Sequence, residues 1–211
     1  RPMDVLQMAV SSLGTFYDLE VSPEKVKGKK YDDEYFLNTS AALIGALGSI
    51  VAAWHRIRNG DEPISSKPDC TYAENFLHIL GAEKITPLMT RIMDATLVLH
   101  GEHTINASTF TAMVTSSTLA NASQVVASAI GSLSGPLHGG ANEKVIAMLQ
   151  KIESKEEIRP WLDETLKAKN VVWGMGHREY SVKDPRANIL TDMVQQLFDE
   201  REGGVTDIFE K

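Results

Sequence analysis

The run from position 105 to position 142 constrains this chain most: 38 consecutive residues contain no Lys, Arg, Asp or Glu. Twenty-two of those 38 are Ser, Thr, Ala or Gly. An uncharged segment of that length does not suit a solvated surface. Small side chains let helix backbones approach closely, and buried Ser and Thr hydroxyls can satisfy themselves on the carbonyl one turn back. The pattern predicts a long helix buried on nearly all sides, with 110–132 serving packing alone, and a break at Gly135-Pro136.

Helical signals dominate elsewhere too. Val5, Leu6, Ala9, Val10 and Leu13 recur at helical spacing. Tyr35 to His55 gives 21 residues without a charged side chain, long enough to cross a bilayer. Asn38, Thr39, Ser40, Gly45, Gly48 and Ser49 dilute that signal, and no second span accompanies it. A helix buried inside an all-α protein accounts for the same composition. Residues 59–69 hold two prolines, a glycine and turn formers, so they read as a loop. A short helix should follow at about 71–80, closed by Gly81, and another at 86–99 with Pro87 in its first turn. Beyond Gly135-Pro136 a helix should start near Gly139, and an amphipathic one should run from Trp161 to Lys169 after a charged, solvated stretch at 153–159. Val171-Val172-Trp173 is a short β-like run. Asp184-Pro185 has the form of a helix start, N-cap then N1, for a helix through Ile189, Met193 and Leu197 to Gly203-Gly204. The residues read as helix-rich, which agrees with an all-α fold without establishing one.

Charge and cysteine usage bound the partners. Hydrophobic residues make 43% and charged residues 23%, the usage of a globular chain. The net charge of -7 gives no long-range attraction to nucleic acid or to an anionic membrane, and both are disfavoured. The single cysteine, Cys70, cannot close an internal disulfide, which fits a reducing compartment and a cytoplasmic location.

Of six histidines, His55, His78 and His100 fall within helical patterns and read as structural or surface residues. His103, His138 and His177 fall at breaks. His138 lies in Gly-Pro-Leu-His-Gly-Gly-Ala-Asn, just before a helix whose unbonded N–H groups and positive dipole end would face it. That position favours a neutral imidazole able to polarise a carbonyl, and triosephosphate isomerase is the known example. Gly139 and Gly140 would let a ligand approach the backbone. A capping turn with an incidental histidine explains the same residues equally well. His177 follows Gly174-Met175-Gly176, where a dinucleotide fingerprint fails because Glu179 occupies the third glycine position. Arg186 falls in the first turn of a helix, where a cation opposes the dipole. Either a bound carboxylate would compensate, or a pair with Asp184 would. His100-Gly101-Glu102-His103 lacks a third ligand, so no metal is expected.

RPMDVLQMAVSSLG, GEHTINASTF, GPLHGGANE and GMGHREYSVKDPRA, in this order and with 39 residues from His138 to His177, strongly resemble the citrate synthase family along essentially the whole chain. The resemblance implies that family's two-domain helical fold. Residues 1–137 would be part of the large domain, and 138–211 part of the small domain with its active-site loops. It implies that His138 would bond the thioester carbonyl of acetyl-CoA and stabilise its enol, and that His177 would polarise the ketone of oxaloacetate. His103 and Arg186 would hold oxaloacetate carboxylates. Leu137, Val171, Gly174, Met175 and Gly176 would line the CoA site. No metal or redox cofactor is implied, because the thioester supplies the driving force, and a homodimer is implied. The family's base is an aspartate in a motif resembling L-D-F-Y-S-G, which residues 1–211 do not contain. The chain therefore reads as a middle segment of about half the enzyme. Ser181, where the family usually carries a basic residue for CoA phosphates, resembles the related 2-methylcitrate synthases that use propionyl-CoA, although Lys183 could substitute. Glu179 stands where a β-branched residue is typical. A catalytically incomplete, CoA-binding family member is the remaining alternative.

Overall fold

The structure is a computed structural model that describes residues 1–17, 33–102, 104–176 and 181–199. Among these residues every regular element is helical. α1 spans Pro2–Ser12 and ends in a 3-10 turn, Leu13–Thr15. α2 is Asp33–Arg58, α3 Tyr72–Leu80 and α4 Pro87–Leu99. α5 is Ala107–Ser116 and α6 is Ala122–Leu133. α7 covers Ala141–Leu149, α8 Lys155–Lys167 and α9 Pro185–Asp199. The caps follow local chemistry. The Thr71 hydroxyl accepts the N–H of Glu74, and Gly81 closes α3 at φ 96, a conformation that costs glycine no Cβ clash. Thr86 caps α4 in the same way, ahead of Pro87.

A small core forms where α1, α2 and α6 meet. Val10, Ala127 and Ile130 are buried there, with Met3, Leu6, Leu13, Leu47, Ile50 and Val126 packed around them. The completely buried Val10 contributes about 1.5–3 kcal/mol. Ser123 is also completely buried; its hydroxyl donates to Asn121 Oδ1 at 2.8 Å, so its burial leaves no orphaned donor. α5 packs on α6, α3 on both α2 and α4, and α9 on α4.

The uncharged run departs from the expected single helix. α5 and α6 are separate, joined by a turn in which Leu119 has φ 61. The break falls where Leu119 takes a left-handed backbone conformation that a helix cannot include. The hydroxyls of Ser116, Ser117 and Thr118 donate to the carbonyls of Met113, Val114 and Thr115, as those of Thr111 and Thr115 do within α5, so these bonds accompany the helix end without causing it. Asn121 then restarts the chain as a helix by accepting the N–H of Ser123 at 2.9 Å. Nor is the run buried all round. Ile105, Phe110, Met113 and Val114 are exposed, Phe110 to 61%.

α2 likewise differs from the all-round burial expected of it. Thr39, Leu43 and Ala52 are buried, while Leu37, Ile44, Val51 and Ile57 are exposed, because α1 and α3 each cover only a stripe of its surface. Its segment Glu34–Arg58 is long and apolar enough to cross a membrane, by length and composition only. Three smaller differences follow from local geometry. α7 begins at Ala141 rather than Gly139, since 135–140 is a turn. α8 begins at Lys155, so the charged stretch forms its first turns. Residues 171–173 form no strand, and among the described residues no strand stands ready to pair with them. The end expected at Gly203-Gly204 lies outside the described residues.

Candidate active site

His138 sits in the turn that reverses the chain between α6 and α7. Its own N–H donates to the carbonyl of Gly135 at 3.0 Å, and its carbonyl accepts the N–H of Ala141 at 3.1 Å. Gly140 N–H reaches back to the carbonyls of Leu133 at 3.0 Å and Gly135 at 3.1 Å. The turn thus takes up N–H groups that the sequence suggested would face the histidine unbonded.

The two glycines also serve a different purpose from the one expected. A Cβ at Gly139 would lie 2.5 Å from the Leu133 side chain, and one at Gly140 would lie 2.6 Å from the Ser134 carbonyl. They let the turn fold onto the end of its own helix. Gly140→Ala is therefore expected to destabilise the protein by about 1–3 kcal/mol. Gly135→Ala, whose Cβ would meet its nearest neighbour at 3.4 Å, should cost much less. Equal shifts of the denaturation midpoint for the two variants would refute this steric account.

The side chain of His138 is half-buried against α5. Its Nε2 lies 2.8 Å from the hydroxyl oxygen of Ser108, which also lies 3.0 Å from the carbonyl of Ala129. Asn106 holds Ser108 in the first turn of α5 by accepting the N–H of Thr109 at 3.0 Å. A hydroxyl has one proton. When Ser108 donates it to Ala129, His138 Nε2 must carry the hydrogen of their contact, and Nδ1 is the acceptor of a neutral ring. When Ser108 donates to Nε2, the hydrogen sits on Nδ1 instead. The pair can therefore present either an acceptor or a donor at Nδ1. Sequence reasoning missed Ser108 because nothing local distinguishes it from the other small residues of the run.

The remaining positions lie in two turns, 135–140 and 171–176. Leu137 is 90% exposed beside His138, and Met175 is 77% exposed in the turn 171–176. Val171 is exposed as well. Gly174 and Gly176 have φ of 87 and 78, where a side chain would be strained. A Cβ on Gly174 would lie 3.3 Å from Val145, so this turn rests on α7, the helix that follows His138. His103 and His177 lie outside the described residues. Among the described residues no three His, Cys, Asp or Glu side chains gather as a metal site.

Arg186 forms a second cluster. Asp184 accepts the Arg186 backbone N–H at 2.9 Å, the N-cap geometry its position predicts. The same carboxylate holds the guanidinium, with Nη2 to Oδ2 at 2.6 Å and Nε to both oxygens at 3.1 Å. Nη1 donates to the carbonyl of Leu99, the last residue of α4, at 3.2 Å. The structure thus displays the Asp184 pair, one of the two compensations open from sequence.

Comparison with known proteins follows the same lines. The family model for the citrate synthase C-terminal domain matches residues 1–211. A citrate synthase of Acidithiobacillus ferridurans is 44% identical over 93% of this chain and 50% of its own length. One from Synechocystis is 45% identical over 94% of this chain and 48% of its own. The chain therefore spans about half the length of these curated relatives. Among solved structures, the ternary complex of carboxymethyl coenzyme A and oxaloacetate with citrate synthase from Thermoplasma acidophilum superposes with a TM-score of 0.77 at 26% identity. That superposition covers 95% of this chain and 50% of the other.

Proposed function

Since the chain belongs to the citrate synthase family, we propose that it carries half of an active site that condenses acetyl-CoA with oxaloacetate and hydrolyses citryl-CoA to citrate and CoA. The observation that carries this reading is the His138–Ser108 contact on a turn with exposed Leu137 beside it. With a thioester carbonyl at Nδ1, the Ser108 hydroxyl turns its proton to Nε2. His138 then donates from Nδ1 to the oxygen that gains negative charge as the methyl carbon loses its proton. A donor already aimed at developing charge costs no reorganisation in the transition state. His177 polarises the oxaloacetate ketone, while His103 and Arg186 hold its carboxylates. Leu137, Val171, Gly174, Met175 and Gly176 line the CoA path, and the glycines of positive φ expose backbone there. The turn 135–140 marks the boundary between the large-domain part, 1–137, and the small-domain part, 138–211. No metal or redox group takes part.

The stripe of Phe110, Met113 and Val114, spaced i, i+3, i+4 along α5, supports a homodimer in which a second copy covers it. The single cysteine supports a cytoplasmic protein. Acyl choice is the point on which a second reading stands, because Ser181 is a small hydroxyl residue at a place where the resemblance to 2-methylcitrate synthases also implies one. With a polypeptide that carries the aspartate motif supplied, CoA release should be oxaloacetate-dependent and faster with acetyl-CoA than with propionyl-CoA. The reverse order would assign a 2-methylcitrate synthase, and no oxaloacetate-dependent release with either thioester would refute both.

A further inference from the structure

We propose that Asp184 is the positioning residue for Arg186, holding one edge of the guanidinium so that its other end is aimed at the turn after α4. This deepens, and rests on, the reading of Arg186 as a carboxylate holder. A guanidinium is planar and its donors diverge in a fixed fork, so seizing one edge determines where the rest points. Asp184 seizes the Nε–Nη2 edge, with contacts of 2.6 to 3.1 Å. The Nη1 end then reaches the Leu99 carbonyl at 3.2 Å, directly ahead of the His100-Gly101-Glu102 turn.

Asp184 is itself fixed. Its Oδ1 accepts the backbone N–H of Arg186, so the carboxylate cannot swing away without uncapping α9. Its charge suits a helix N-terminus, where that of Arg186 does not, and the pair is only 31% and 25% exposed for arginine and aspartate. The fork is consequently ordered before a substrate arrives, and the entropy of ordering it is absent from the binding step. A substrate carboxylate would meet a cation already oriented by Asp184.

The test uses the protein as the cell makes it, with oxaloacetate titrated by calorimetry and the melting temperature measured alongside. Asp184→Asn and Asp184→Ser both keep a good N-cap and remove the charged clamp. Each should weaken oxaloacetate binding roughly tenfold or more, the scale on which small misplacements act, with acetyl-CoA KM nearly unchanged. Arg186→Lys should weaken it as well, and adding Asp184→Asn to Arg186→Lys should cost much less than Asp184→Asn costs alone. If Arg186→Lys weakens binding while both Asp184 variants leave it intact and only lower the melting temperature, the Asp184–Arg186 pair is structural and the inference falls. Tighter binding in the Asp184 variants would overturn it too, by showing that the aspartate competes with substrate. If Arg186→Lys leaves oxaloacetate affinity intact, the carboxylate-holding role of Arg186 itself is wrong.

Discussion

In the full-length enzyme, replacing His138 by alanine should slow exchange of the acetyl-CoA methyl protons with solvent by about 10²–10³-fold, the scale of losing one preorganised donor to an oxyanion. Oxaloacetate affinity should change far less, because Arg186 is held by Asp184 and the Leu99 carbonyl and not by the turn at His138. Ser108→Ala separates donor chemistry from mere packing. It removes the group 2.8 Å from Nε2 that selects which nitrogen carries the hydrogen, without opening a cavity larger than one oxygen atom. Its exchange rate should fall between those of the wild type and His138→Ala. The two losses should not add in the double variant, since both act through one imidazole. Unimpaired exchange in His138→Ala would end the assignment.

The polypeptide 1–211 alone should release no CoA from acetyl-CoA and oxaloacetate above background. Abstracting a proton from a thioester methyl needs a base within hydrogen-bond reach. The described side-chain partner of His138 is a neutral hydroxyl. Glu143, in the first turn of α7, is exposed, as are Glu153, Glu156 and Glu157 around the start of α8. The family's aspartate motif does not occur in these residues. Supplying a polypeptide that carries the motif should restore turnover. Oxaloacetate-dependent release by 1–211 alone, abolished by His138→Ala, would place the base within this segment.

The parts of this protein legible without a structure are those set by neighbours in sequence. Thr86-Pro87, Gly81 and Asp184-Pro185 mark helix ends because capping and φ restriction act over three or four residues. The helix-rich character follows from apolar periodicity of the same range, while the all-α class came with the family resemblance. The chemistry around His138 was legible only as the choice between a working histidine and a capping turn, since a single motif is compatible with both.

Tertiary structure decided what depends on partners far along the chain. It split 105–142 into α5 and α6, with Leu119 in the left-handed region between them and Asn121 capping the second helix. It brought Ser108 to His138 across 30 residues and thereby gave the imidazole a partner able to set its tautomer. It led Arg186 to the Leu99 carbonyl across 87 residues. It also gave Gly139 and Gly140 a steric role at the end of α6. Local sequence specifies backbone propensity within a turn or two; which side chains then share a hydrogen bond depends on how helices cross, and only packing fixes that.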